Sequence, residues 1–449
     1  MFQKLINSCV KLVQRYLPEP FIFAIILTVV AFIVAIPICD QSVLEVVENW
    51  GNGVWSLLAF SMQMALVLVC GSALAAAPVV KKGISRLASA PKTPAGAIAF
   101  VSAISSVACW LNWGFGLIVG ALIAKEVARK LRGVDYRLLI ASAYSGFVVW
   151  HAGISGSVPL SMATAGDALT KATNGIVTEP VALDQTIFSI YNLGIALGVI
   201  VVLVIVNALM HPKGNDVFVV DPSLLEECCT ECDKRVETPA QKLESSTVLT
   251  WIISILGLSS LVIKLFVRGG GLDLNSVIML FLFIGLLAHR TPIGYVNAFT
   301  CAASGAAGIL LQFPFYAGIM GIITGTGASG MSLAGEISDA FISISNKTTF
   351  PLLTFLSAAI VNIFVPSGGG QWAVQAPIMF PAGAQLGVDP AVTGMAIAWG
   401  DAWTNLIQPF WAIPALAIAK LNAKDIMGFC LIDLLVTGVV ICLGFLLWV

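Results

Sequence analysis

Nine polar side chains stand beside glycine or proline in the middle of long apolar runs. Asn112 opens Asn112-Trp113-Gly114-Phe115-Gly116, and Ser367 lies within Pro366-Ser367-Gly368-Gly369-Gly370. His151, Ser155 and Ser157 fall in the stretch from Trp150 to Pro159, and Asp401, Thr404, Asn405 and Gln408 fall in the stretch from Asp401 to Pro409. A proline, a serine and three glycines in a row are expected to interrupt a helix. At membrane depth such backbone persists only where it is buried in protein or lines a watery cavity. Each break also exposes peptide N–H groups at the start of the following half-helix, which carries a partial positive charge of about half an electron. Four such ends converging near the bilayer midplane suit a small anion.

The donors fit a single weak charge. No arginine or lysine lies at the centre of an expected span, so affinity has to come from backbone dipoles and from Asn112, Ser155, Ser157, Ser367, Thr404, Asn405 and Gln408. Gly114, Gly116, Gly368, Gly369 and Gly370 let backbone donors come close. Trp113, Phe115, Trp150, Trp372, Trp403 and Trp411 offer apolar contact to a short alkyl chain, or simple packing. Asp401 is the one carboxylate next to a break and therefore the candidate for an exchangeable proton. His151 is the other titratable group at a break, with a substrate, proton or structural role. Asp433 lies in the last span, away from any break, and reads as structural or interfacial.

The elements that position these residues follow from composition. The chain has 449 residues, 58% hydrophobic and 10% charged, where soluble domains carry about 25% charged residues. It reads as an all-α polytopic membrane protein. A net charge of −1 argues against a nucleic-acid partner. Nine apolar runs of spanning length occur near 20–38, 54–77, 138–165, 186–210, 247–266, 275–289, 298–324, 391–419 and 427–449. Residues 1–19 carry Lys4, Lys11 and Arg15 like a signal peptide, but the run from Phe21 has spanning length and lacks a clear cleavage site. It is kept as the first helix. Cysteines within spans, such as Cys70 and Cys430, read as small core residues, with no disulfide framework.

Lysine and arginine positions set the orientation. Lys4, Lys11 and Arg15 place the N-terminus in the cytoplasm, and alternation then places the C-terminus outside. On this arrangement all but four of the 23 basic residues are cytoplasmic, the exceptions being Lys171, Lys264, Arg268 and Lys347. The region 94–124 has basic clusters at both ends and a helix-breaking centre, so it should enter and leave by one face as a re-entrant hairpin. Region 351–388 is its counterpart.

The halves repeat at an offset near 254: Leu57 and Gly71 fall on Leu311 and Gly325, Gly114 and Gly116 on Gly368 and Gly370, and Pro159 on Pro414 one further. One connecting helix, 247–266, lies between the copies, so the second begins on the opposite face. Two inverted repeats, 1–210 and 267–449, result, each with a hairpin and a broken helix (138–165 and 391–419). Inverted repeats with discontinuous helices characterise secondary transporters. The acidic stretch 211–246 reads as a cytoplasmic linker. Its Cys228, Cys229 and Cys232 lack a fourth metal ligand unless His211 folds back, and no metal site is assigned.

Taken together, LPEPFIFAIILT at 17–28, NWGFGLIVGA at 112–121, LLQFPFYAGI at 310–319, FVPSGGGQW at 364–372 and QPFWAIPALAIA at 408–419 resemble the bacterial short-chain fatty acid transporter family, the AtoE type. The resemblance implies uptake of short monocarboxylates such as butyrate or acetoacetate across the inner membrane, with no cofactor. It also implies kinship with the inverted-repeat ion-transporter superfamily, whose hairpins and broken helices form the site, whose moving domain acts as an elevator and whose members suggest a homodimer. That superfamily's sodium-coupled members carry Ser-Asn-Thr at the tips. The tips here differ, so sodium coupling is not carried over from the resemblance, and a proton exchanged at Asp401 is the expected coupling ion, with sodium as the alternative. A sodium-coupled di- or tricarboxylate carrier would need more fixed positive charge. A membrane-embedded enzyme would need paired acids or a metal cluster at one depth, for which Asp401 and His151 alone make a poor case.

Overall fold

The computed structural model describes residues 8, 10–11, 15–16, 19–164, 166–212, 214–220, 225, 238–269, 274–327 and 330–448. Most of the acidic linker, with Cys228, Cys229 and Cys232, lies outside them, as does Lys4. The first half contains α1 (Pro20–Cys39), α2 (Val43–Val54), α3 (Leu58–Ala76), α4 (Pro78–Leu87), α5 (Pro94–Leu111), α6 (Trp113–Lys130), α7 (Tyr136–Ser145), α8 (Ser157–Ala163), α9 (Asp167–Ala172) and α10 (Ile190–Leu209). After the short α11 (Pro239–Glu244) comes α12 (Thr247–Val262), the single connecting helix. The second half contains α13 (Leu274–His289), α14 (Pro292–Ala303), α15 (Ala307–Thr324), α16 (Leu333–Ser343), α17 (Phe350–Phe364), α18 (Gly368–Gln385), α19 (Pro390–Thr404), α20 (Pro409–Ala419) and α21 (Ala423–Trp448). Tight 3-10 segments at Gly146–Ala152 and Asn405–Ile407 follow α7 and α19.

Among the described residues seven helical stretches are long and apolar enough to cross a bilayer. An eighth forms if the pair bent by 86° between α3 and α4 counts as one span. The bend follows from Pro78, which is accepted at the first helical position but cannot continue a helix through it. Each of the nine apolar runs falls on a helix or a broken helix. The run 391–419 is split by the 3-10 turn, and 275–289 is a shorter apolar helix. Helices α2, α4 and α16 occupy segments read from sequence as loops.

The element order repeats from α1–α8 to α13–α20. The packing is exchanged between the halves: α1 and α2 of the first copy lie on α15 of the second, while α13 and α14 of the second lie on α3 of the first. Within each copy the hairpin arms pack together, α5 on α6 and α17 on α18. The helix starts refine the register. Asn112 and Ser367, which cap α6 and α18, are 255 residues apart, so Gly114 corresponds to Gly369 rather than Gly368.

Candidate functional site

The first hairpin turns at one residue. Asn112 is extended (φ −155°, ψ 119°) and its side-chain oxygen accepts the Phe115 N–H at 3.0 Å, capping α6. The arms close tightly because position 116 is glycine: a Cβ there would lie 2.3 Å from the Cys109 nitrogen. In the second hairpin Ser367 (φ −153°) caps α18 and accepts the Gly370 N–H at 3.3 Å. The expected interruption is present between Phe364 and Gly368, but it is narrower than the run of breakers 366–370. Gly368, Gly369 and Gly370 form the first turn of α18, as Trp113, Gly114 and Phe115 form that of α6. A first turn has no preceding carbonyls to bond, so glycine's weak helix preference costs little there, and a capping side chain suffices to start the helix.

Both tips rest on the breaks. Ser155, in the first break, accepts the Trp113 N–H at 3.0 Å, and the Ile154 N–H donates to the Trp110 carbonyl at 2.9 Å. Gly368 of the second tip packs on the same break, where a Cβ would meet His151 Cε1 at 2.7 Å and Trp150 Cη2 at 2.9 Å. The second break is held by α17. The Asn362 amide nitrogen lies 2.8 Å from the Asp401 carbonyl, 2.9 Å from Thr404 Oγ1 and 2.8 Å from Asn405 Oδ1. Gln408 Nε2 donates to the Ile363 carbonyl at 2.6 Å. From the first half, the Tyr144 hydroxyl shares its hydrogen between the carbonyls of Asn405 and Gln408.

At the centre two titratable groups meet. His151 Nδ1 is 2.8 Å from Asp401 Oδ2, and both residues are fully buried. The Val158 N–H donates to His151 Nε2 at 3.0 Å, which makes that nitrogen the acceptor and puts the ring proton on Nδ1, facing the carboxylate. Both ring nitrogens are thus used within the protein. Sequence reasoning treated Asp401 and His151 as separate candidates, and the fold joins them across 250 residues. Trp150 stacks on the imidazole at 4.1 Å.

Aromatic rings from both halves surround this pair. Trp113 lies 5.4 Å from Trp411 and 5.9 Å from Trp150, and Phe147 lies 5.2 Å from Trp411. The other three expected apolar contacts are directed elsewhere. Phe115 packs on Phe281, Trp372 on Phe380 and Trp403 on Phe355. Gly369 is exposed with nothing within 4 Å of a built Cβ, and Ser155, Ser157 and Ser367 are half-buried. Asn112, Gly114, Gly116, Thr404, Asn405 and Gln408 are buried. Four buried polar atoms at the second break have no hydrogen-bond partner: Asp401 Oδ1, Asn362 Oδ1, Asn405 Nδ2 and Gln408 Oε1.

Asn362, Tyr144 and Phe147 were missed from sequence. Asn362 carries a visible signal, an amide in an apolar run four residues before Pro366. A separate cavity of about 330 Å³ opens between α3, α6, α14 and the end of α20, with Leu68, Leu122 and Ala302 among its walls and Lys125 and Lys420 at its edge.

A family model described as short chain fatty acid transporter matches residues 1–448. Two relatives described as putative short-chain fatty acid transporters are each 44% identical to this chain. That of Escherichia coli (strain K12) aligns over 100% of both chains, and that of Haemophilus influenzae (strain Rd) over 96% of both. A putative basic amino acid antiporter of Escherichia coli, YfcC, is 29% identical over 142 residues, 30% of this chain and 26% of its own. Among solved structures, the YdaH transporter of Alcanivorax borkumensis covers 96% of this chain and 97% of its own at 17% identity, with a TM-score of 0.44, a likeness too low to argue from. Full-length agreement with the family model and 44% identity over whole chains place this protein in the short-chain fatty acid transporter family.

Proposed function

We propose that this protein is a secondary transporter of short-chain monocarboxylates, such as butyrate or acetoacetate, in the bacterial inner membrane, coupled to protons. The observation that carries the reading is the meeting of both capped hairpin tips and both helix breaks around one aromatic-lined centre. The first-turn amides of Gly114, Gly368 and Gly369 have no carbonyl four residues earlier in the same helix, and Asn405 Nδ2 is a buried donor in need of an acceptor. These are donors for one carboxylate, while Trp113, Trp150 and Trp411 supply the apolar surface for its alkyl chain. Asp401, paired with His151, is the coupling carboxyl.

The hairpins are re-entrant, the N-terminus is cytoplasmic and the C-terminus periplasmic. The unit formed by the hairpins and broken helices moves as an elevator against the remaining helices. The cavity edged by Lys125 and Lys420 is the passage to the cytoplasmic face, since both lysines lie on the side assigned to the cytoplasm. The test is uptake of labelled butyrate and acetoacetate into proteoliposomes under separately imposed pH and sodium gradients. Accumulation with the pH gradient alone is expected. Accumulation with sodium alone would overturn proton coupling, and competition by succinate or citrate would support a sodium-coupled di- or tricarboxylate carrier instead.

A further inference from the structure

We propose that Asp433, on α21, is a second proton-binding site on which proton-driven uptake depends. The inference rests on the transport reading above and adds a site to it. Asp433 is ten residues into a 26-residue membrane helix, about 15 Å from its start at the α-helical rise. Its side chain is fully buried, and among the described residues neither carboxyl oxygen makes a hydrogen bond of normal geometry. The position is therefore not interfacial, which removes one of the two readings, structural or interfacial, that the sequence left open. An ionised carboxylate in such a place is disfavoured, because only Ser145 and Asn207 face it in exchange for its lost hydration. The carboxyl differs in its lack of a close partner from that of Asp401, whose Oδ2 has His151.

Its polar neighbours are Ser145 at the end of α7 and Asn207 on α10. The Asn207 amide nitrogen approaches Ser102 Oγ (3.2 Å) on the first hairpin and Ser145 Oγ (3.3 Å), and its Oδ1 is unpaired. An acceptor left over on Asn207 suits a carboxylic acid that donates, whereas loss of the proton would call for a donor in its place. The surroundings therefore tell the two protonation states apart. Cys430, one turn back on α21, and Tyr144 on α7, which faces that thiol, are the neighbouring titratable groups. Of the other elements packed on α21, α7 carries Arg137 in its first turn and α19 carries Asp401. Helices α10, α17 and α20 and the turn 405–407 carry no charged residue. The N-terminal segment touches Gly428 through Val10, which precedes Lys11.

The site is mechanically linked to both breaks. Ser145 is the last residue of α7 before the 3-10 segment that carries His151. On the other side the Trp403 indole N–H donates to the carbonyl of Leu434, the residue after Asp433, at 2.7 Å. Binding and release of a proton at Asp433 thus bears on the packing of the hairpin arm and of both broken helices. A proton taken up there on one face and released on the other travels with the substrate.

Two measurements on Asp433→Asn, which keeps size and shape, test this. In proteoliposomes it is expected to retain butyrate counterflow, which needs no net proton movement, and to lose accumulation driven by a pH gradient. Asp433→Glu, which restores an ionisable group, is expected to recover accumulation with a displaced pH profile. Full accumulation and an unchanged pH profile in Asp433→Asn would overturn the proposal. Infrared titration of the purified protein without substrate should show a protonated-carboxyl band that responds to pH in the wild type and is missing in Asp433→Asn. A band that never responds to pH would overturn it as well. Absence of butyrate counterflow in the wild type would remove the transport reading, and the infrared result still decides the proton site.

Discussion

The two glycines that open α18 after its cap do different things, and substitution separates them. Gly368 has no room for a Cβ, which would meet His151 Cε1 at 2.7 Å, so Gly368→Ala should force the tip off the break and abolish uptake. Gly369 faces open space, so Gly369→Ala should fold normally and weaken butyrate affinity only by intruding on the carboxylate's place. Equal and severe loss of expression for both would remove the tip from substrate binding. Removing the caps by Asn112→Ala or Ser367→Ala should cost about 1 kcal/mol of helix stability each and lower substrate affinity. His151→Ala removes the buried hydrogen-bond partner of the Asp401 carboxyl, a change that costs about 1.5–3 kcal/mol and should appear as a drop in thermal stability. Asp401→Asn should abolish uphill uptake and leave exchange, and pH-driven accumulation at the wild-type level would remove that residue from coupling. At this scale the sequence marked most of the residues that meet. Side chains beside helix breakers in lipid must face protein or water, and that much is local chemistry. The pairing of His151 with Asp401, and the choice of Phe147 over Phe115, Trp372 and Trp403, depend on contacts across more than 200 residues in the first case and on helix rotation in the second. Neither leaves a local signal.

Helices long enough to span, and the breaks within them, follow from apolar length and from proline and glycine. The short helices α2, α4 and α16 do not, since they are too brief to register as spans and lie between spans in segments read as loops, although α2 and α4 are amphipathic. A local cue existed at α2, where Ser42 and Glu45 form a reciprocal capping box. Just beyond α10, His211 ties the start of the linker to α7, its Nε2 accepting the Asp135 N–H at 3.2 Å. The metal reading of the linker needed this imidazole for itself. Burial holds the His211 imidazole below its ordinary value of 6.5, a shift that Asp135 partly offsets. The unfolded chain therefore binds a proton more readily than the folded one between those two values. The sign follows: the attachment is intact above the ordinary value and is lost as pH falls through the lower one. Thermal stability of the purified protein should decline on acidification into that window, and His211→Gln should flatten the decline. An identical pH profile for the variant would exclude this contact as its source.

Over the whole chain, two copies with exchanged partners explain why distant residues converge. Because α1 and α2 pack on α15 while α13 and α14 pack on α3, neither half can form its own enclosure, and the tips of both are driven to one centre. The repeat was legible in sequence, with Pro159 and Pro414 already at the offset of 255 that the helix caps give, whereas the glycine matches of the tips lie one residue out of that register. The same arrangement leaves the cavity between α3 and α14 on one side and α6 and α20 on the other, with Lys125 and Lys420 at its edge. If that cavity is the cytoplasmic passage, its lysines attract a carboxylate leaving or entering from that face alone. A hydrogen bond to a charged group contributes about 1.5–3 kcal/mol, so Lys125→Gln together with Lys420→Gln should weaken apparent affinity about tenfold or more from the cytoplasmic side. Uptake into inside-out vesicles reads that side, and right-side-out vesicles read the other, where affinity should be unchanged. A similar loss in both orientations would place the cavity outside the route, and a loss confined to right-side-out vesicles would reverse the orientation of the whole molecule.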